Sequence, residues 1–261
     1  MKLSTICLLL STGLASAVPA NIEKRSTVQG FDISHYQATV NFQGAYNSGA
    51  RFVIIKVRYH WVHVALIYLL QPFDLASCIW PSIQATEGTT YVDPGFSTHY
   101  SGATSAGLIR GGYHFAHPNS GTGSAQATYF LAHGGGWSND GITLPGMLDI
   151  EYNPSGATCY GLSQAAMVAW IQDFVNTYHA KTTRYPMIYS TNDWWSTCTG
   201  GSTAFHTTCP LVLARYGSTV GTIPGGWPYQ TIWQNADTYA YGGDADIFNG
   251  DITGLKKLAT G

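Results

Sequence analysis

The chain is 261 residues long, which suits one or two domains at about 150 residues each, or one α/β barrel. Only 10% of the residues are charged, 13% are aromatic, and there are 17 Tyr, 8 Trp and 30 Gly, a composition that fits a secreted protein handling sugars. A formal net charge of −2 excludes a basic nucleic-acid grip, and a hydrophobic share of 45% excludes a disordered tail protein.

The first 17 residues read as a signal peptide. Lys2 supplies the positive start, Ile6 to Leu10 the apolar stretch, and Ala15-Ser16-Ala17 the cleavage site. Residues 18–25 end in Lys24-Arg25, a dibasic pair typical of a removed propeptide, so the mature chain is expected to begin near Ser26. Secretion follows as the expected localisation.

From there the spacing predicts a strand over 28–34, a helix over 41–49 closed by Gly49, and a strand over 51–56. The continuous Phe52-Val53-Ile54-Ile55 run suits a strand buried on both faces. A helix over 93–106 and a strand over 108–115 follow. A helix over 124–133 stops at Gly134-Gly135-Gly136, and a strand covers 146–152. The clearest helix is 163–181, with Ser163 as N-cap and Ala166, Trp170, Phe174 and Tyr178 recurring every four residues. Strands over 185–190, 211–216, 231–235 and 245–248 complete the chain. Eight strands separated by helices argue for a parallel, TIM-like α/β barrel. The last three strands leave no room for full helices, so an irregular barrel with a mostly β closing third is expected.

One segment breaks this pattern. Residues 57–84 follow a strand abruptly, have no helical stripe, and contain Pro72, Asp74 and Pro81. The longest apolar stretch falls far short of the roughly 20 residues that cross a bilayer, and a surface loop of this composition would expose a large apolar patch. A retained intron fits better: the segment is in frame, begins with Val57-Arg58 and ends with Gln84, compatible with splice-site codons. Its removal joins Lys56 to Ala85-Thr86-Glu87-Gly88.

Of the five cysteines, Cys7 leaves with the signal peptide and Cys78 falls in the doubtful segment. Cys198 and Cys209 flank a short Thr/Ser/Gly-rich step and are expected to form a disulfide, leaving Cys159 as a free thiol. No Cys/His spacing suggests a metal site, and each scattered His reads as structural.

In a parallel barrel the chemistry sits at the C-terminal strand ends. Asp32 falls there on the first strand, Asp149 and Glu151 on the fourth, and Asp246 on the last, flanked by Asp244 and Asp251. Residues i and i+2 of a strand share a face, so Asp149 and Glu151 enter the mouth together. Two crowded carboxyls push their pKa values apart, and one can stay protonated as a general acid for glycosidic cleavage.

These residues resemble a known family. Gly30-Phe31-Asp32-Ile33-Ser34 with Tyr36-Gln37 is similar to the opening motif of glycoside hydrolase family 25 lysozymes. The same holds for Lys56 joined to Ala85-Thr86-Glu87-Gly88, for Gly112-Tyr113-His114-Phe115, Leu148-Asp149-Ile150-Glu151, Ile232-Trp233-Gln234 and Asp246-Ile247-Phe248. The resemblance implies an irregular barrel that cleaves the β-1,4 bond between N-acetylmuramic acid and N-acetylglucosamine in bacterial peptidoglycan, with no metal or other cofactor. It implies Glu151 as general acid, Asp149 as its partner, and Asp32 and Asp246 completing the acidic mouth. Glu87 would shape the pocket, and Tyr113, Phe115, Tyr189, Trp233 and Gln234 would line the sugar groove. Trp194 and Trp195 point differently, so at most one faces that groove. A monomer acting on wall glycan, with no nucleic-acid or membrane partner, is expected. Two rivals stand beside this reading: a chitinase-like hydrolase of N-acetylated sugars, although the residues before Asp149 lack the fuller DxxDxDxE pattern, and a non-catalytic sugar-binding barrel.

Overall fold

The computed structural model describes residues 26–34, 36–55 and 86–261. The expected signal peptide, the propeptide and segment 57–84 lie outside the described residues. The elements run β1 (Val28–Ile33), α1 (Phe42–Asn47), β2 (Phe52–Ile55), β3 (Thr86–Glu87), β4 (Tyr91–Val92), α2 (Phe96–Ser105), β5 (Ile109–Phe115) and α3 (Gly123–Ala132). They continue with β6 (Met147–Asp149), α4 (Gln164–Thr182), β7 (Met187–Ser190), α5 (Asn192–Thr199), β8 (Leu211–Ala214), β9 (Ile232–Ala236), β10 (Asp244–Phe248) and α6 (Ile252–Thr260).

The sheet order is β2-β1-β10-β9-β8-β7-β6-β5-β3-β4, and β2 also pairs with β5. That extra pairing closes eight strands into a barrel, and the short β3–β4 hairpin extends from one end of β5. β1, β2 and β5 to β9 run parallel, whereas β10 is antiparallel to both β1 and β9. The expected barrel with a β-rich closing third is present, with its last strand reversed. No helix separates β8, β9 and β10, so loops alone, residues 215–231 and 237–243, return the chain to the sheet.

Strand parity explains the packing. On β2, Phe52 and Ile54 fill the barrel interior with Tyr113, Met147, Met187 and Val212. Val53 and Ile55 point outward and pack under α1 and α2 with Phe42, Phe96 and Ala103. Both faces are buried, which is why the run shows no polar alternation. α4 packs Trp170, Phe174 and Tyr178 against the barrel wall and α3. Ser163 caps α4, its Oγ accepting from Ala166 N at 3.3 Å; Thr122 and Thr191 cap α3 and α5 in the same way. Two helices had no counterpart in the sequence expectations, α5 and α6. Trp194 and Trp195 are both fully buried on α5, so neither faces the mouth.

The disulfide differs from expectation. Cys159 pairs with Cys198, and Cys209 is the free, buried cysteine. Proximity in sequence misled here. Cys198 lies on α5 and meets the loop after β6, whereas Cys209 enters β8 under Trp227, whose Nε1 donates to the Cys209 carbonyl at 2.7 Å. Burial pushes the Cys209 thiol up to about 12.

The two sides of segment 57–84 meet one edge of β5. Ile55 pairs with Gly112, and Glu87 pairs with Phe115, three steps further along. A continuous strand would place two residues between Ile55 and Glu87, and the chain has 31. Removing 57–84 leaves three, one more than the ladder needs, which a single β-bulge absorbs.

A chain lacking 57–84 is therefore expected to fold with β2 running into β3 and to melt higher than the full chain, since closing a loop of this length costs about 3 kcal/mol. An equal or lower melting temperature would show that the segment supports the barrel. A non-reducing peptide map is expected to link Cys159 to Cys198, and Cys198→Ser to lower stability by about 4 kcal/mol in a denaturant titration. Cys209→Ala is expected to cost about 1 kcal/mol; a loss as large as that of Cys198→Ser, with no Cys159–Cys198 peptide in the map, would restore the Cys198–Cys209 pairing.

Candidate active site

The carboxyl ends of the parallel strands open onto a central cavity of about 270 Å³ lined by Asp32, Tyr113, Asp149, Glu151, Tyr189 and Gln234, together with Met147, Tyr216 and Asp244. Asp149 ends β6 and is buried. Glu151 lies two residues on, past the end of the strand, after Ile150 N has bonded to Tyr189 O at 3.1 Å. The expected pairing of these two acids on one wall is thus present, with a strand that stops at Asp149 instead of continuing through Tyr152.

The facing wall is built by the β1–β10 contact. Asp32 sits opposite Asp244 in the antiparallel register. Gly243 makes this approach possible: its φ is +78°, and a Cβ there would lie 1.8 Å from the Asp32 carbonyl oxygen. Gln234 on β9 bridges the two acids, its Nε2 donating to Asp32 Oδ2 at 2.6 Å and to Asp244 Oδ2 at 3.2 Å. Tyr189 Oη donates to Gln234 Oε1 at 2.9 Å, which fixes the amide orientation. Burial and the charges of Glu151, Asp149 and Asp32 push the Tyr189 phenol well above its ordinary range, so it stays a donor.

Asp246 does not line this cavity. Because β10 is antiparallel, its first residue, Asp244, is the one at the mouth, and Asp246 sits two residues deeper beside Gly30. It is buried, and neither of its side-chain oxygens has a hydrogen-bond partner among the described residues. Burial, then Asp32, then Asp244 push its pKa well above the carboxylate range, which keeps it protonated. The clue in the sequence was Asp244 itself, two positions earlier; the strand direction that selects it was hidden.

The remaining expected residues divide. Tyr113, Tyr189 and Gln234 line the cavity. Trp233 alternates to the other face of β9, where its Nε1 donates to Arg215 O at 2.7 Å. Phe115 is buried at the end of β5 and packs edge-on against His117, outside the cavity lining. Glu87 lies one strand beyond Phe115 and accepts from His117 Nε2 at 2.6 Å, so it flanks the cavity without lining it. His114 is structural: Nε2 donates to Gln126 at 2.9 Å, Nδ1 accepts from Thr86 at 2.7 Å, and burial pulls the imidazole down to about 4. Sequence reasoning missed Tyr216, an exposed ring just past β8 that lines the cavity beside Glu151. Among the described residues no group of three or more His, Cys, Asp or Glu is arranged to hold a metal ion.

This geometry sits in a chain with close relatives. The family model described as glycosyl hydrolases family 25 matches residues 78–244. The N,O-diacetylmuramidase of Chalaropsis sp. is 60% identical over 239 residues, covering 90% of this chain and all of the relative. The N,O-diacetylmuramidase of Arthroderma benhamiae is 52% identical over 263 residues, covering both chains in full. The solved structure of a family GH25 lysozyme from Aspergillus fumigatus superposes with a TM-score of 0.79 at 56% identity, over 90% of this chain and all of that one. With two wall-facing acids on β6 and its following loop, two more on β1 and β10, and this extent of shared sequence, the chain belongs to glycosyl hydrolases family 25.

Proposed function

We propose that the chain is a secreted N-acetylmuramidase that hydrolyses the β-1,4 bond between N-acetylmuramic acid and N-acetylglucosamine in bacterial peptidoglycan. The observation that carries this reading is the single cavity in which Asp149 and Glu151 face Asp32 and Asp244. The names of the close relatives point to the same activity. The Cys159–Cys198 disulfide fits export through an oxidising compartment, and no described helix is long and apolar enough to cross a membrane.

In this reading Glu151 delivers a proton to the glycosidic oxygen as the bond to the anomeric carbon breaks. Positive charge then develops at that carbon and on the neighbouring acetamido group, and the Asp149 carboxylate stabilises it. Water completes the hydrolysis, its proton returning to Glu151. Asp32 and Asp244, held by one Gln234 amide, keep the mouth electronegative, which favours the cationic transition state. Tyr189 and Tyr216 offer rings against the sugar. A wall polymer that is itself anionic is repelled by this mouth, so lysis is expected to be best at acidic pH.

Glu151→Gln is expected to lower lysis of bacterial walls by at least about 100-fold with the fold intact, and Asp149→Asn to lower it less. Undiminished lysis by the Glu151 variant would remove the assignment. Asp244→Asn is expected to lose more activity than Asp246→Asn. Folded Asp246 keeps a proton that the unfolded chain releases above about pH 4, so the native chain loses stability as pH rises past that point. Asp246→Asn should melt higher than the parent at pH 7, with the gap closing toward pH 4. N-terminal sequencing of the exported enzyme is expected to begin at Ser26.

A further inference from the structure

The mouth of the barrel continues sideways as a groove. The central cavity shares Asp32 and Asp244 with a neighbour lined by Ser34, Tyr36 and Gln37. In the other direction it shares Glu151, Tyr189 and Tyr216 with a cavity that reaches Thr191 and Arg215. That cavity in turn shares Thr191, Ala214 and Arg215 with an outer one against Tyr152 and Asn192.

Charge along this groove is lopsided. Asp32, Asp149, Glu151 and Asp244 line the first two cavities, and Arg215 is the one Arg or Lys that lines any of the four. The topology accounts for this. Arg51 precedes β2, Arg110 is the second residue of β5, and Arg184 precedes β7, all at the end of the barrel opposite the mouth. Lys181 lies in the last turn of α4, and Lys256 and Lys257 lie on α6, which follows the inner end of β10 and packs its Leu258 carbonyl against Arg184. Arg215 follows β8, so among the described residues it is the basic side chain that a strand delivers to the mouth.

The side chain is held in place. Nη1 donates to the carbonyl and, at 3.1 Å, to the Oγ1 of Thr219. Gly221 closes the same loop with φ +69°, and a Cβ there would lie 2.6 Å from Arg215 Nε. Glycine is what lets the guanidinium lie flat on its own loop. Among the described residues no carboxylate pairs with it; Asp193, on the wall of the outer cavity, forms no ion pair with it. The guanidinium therefore keeps donors for a ligand, beside the cavity that also holds Glu151.

We propose that Arg215 binds the carboxylate that a muramyl unit carries and a glucosaminyl unit lacks, and so sets the direction in which the glycan lies across Glu151. This rests on the muramidase reading. In wall glycan every second sugar bears a lactyl ether, ending in a free carboxylate or extended by a peptide stem with carboxylates of its own. An otherwise acidic groove repels either group and accepts a neutral polymer without penalty. A single fixed cation off to one side of the acid pair reverses that preference locally, and a correctly laid glycan alone can reach it.

The test compares the parent, Arg215→Gln and Arg215→Lys on three substrates: stem-free glycan strands with free lactyl carboxylates, the same strands with those carboxylates reduced to alcohols, and intact walls. The parent is expected to show a KM about tenfold lower on the free carboxylates than on the reduced strands. Arg215→Gln should raise KM on the carboxylate strands by about the same factor, lose the preference, and leave KM on the reduced strands as in the parent, with Arg215→Lys recovering part of it. A KM rise confined to intact walls would assign the contact to the stem peptide in place of the lactyl group and still support the carboxylate site. Equal KM changes on carboxylate and reduced strands, or none on any substrate, would overturn it. If the parent lyses no wall and cleaves none of the strands, the muramidase reading falls instead.

Discussion

The antiparallel return of β10 between β9 and β1 is the constraint on which the mouth depends. It places the first residue of the last strand, not its middle, at the open end of the barrel, and brings Asp244 opposite Asp32. Two carboxylates so placed repel each other unless something holds them. The Gln234 amide does so with both hydrogens of one nitrogen, and Tyr189 fixes that amide from behind. Below them Asp246 remains a neutral acid, because a third buried charge in the same column would have no counterion. The acid pair on the opposite wall thus faces a surface whose charge is set by two groups in a column of three.

Much of this was legible in the residues. The β2 run and the Trp170, Phe174 and Tyr178 stripe of α4 specify their elements because both are buried on a scale that leaves a clear periodic trace, although Ala166, the expected first member of that stripe, is exposed. Asp149 and Glu151 were recognisable because strand parity alone puts them on one face. What was hidden depends on tertiary pairing. A period-two pattern is the same for parallel and antiparallel strands, so Asp246 looked as well placed as Asp244. Neighbouring Trp233 and Gln234 both looked like groove residues, and only the register decides that Gln234 points in. The Cys159–Cys198 pair spans 39 residues, and it forms because α5 packs against the loop after β6, a helix whose mixed Trp, Ser, Thr and Cys sequence carries no strong helical signature.

The distribution of charge has the same origin. Parallel strands sort their residues by end: those before or at the start of a strand collect at the closed face, those at or after its end at the mouth. Arg51, Arg110 and Arg184 fall in the first group and find partners there in Tyr46, Asp140 and Trp137. Asp32, Asp149 and Glu151 fall in the second. The resulting field runs along the barrel axis, and it favours cationic character at the mouth while opposing the approach of an anionic polymer.

β5 acts as a splint for the chain that crosses its edge. Ile55 and Glu87 are held three ladder steps apart, about 10 Å at the usual rise of a strand. Any segment between them starts and ends at neighbouring points whatever its length, so barrel closure is insulated from what is inserted there. The same geometry makes this junction a place to open the chain. New termini created after Ile55 and before Thr86 would lie side by side on β5 and leave the strands that close the barrel uncut, which suits an opening there for a circular permutant or for two-fragment reconstitution.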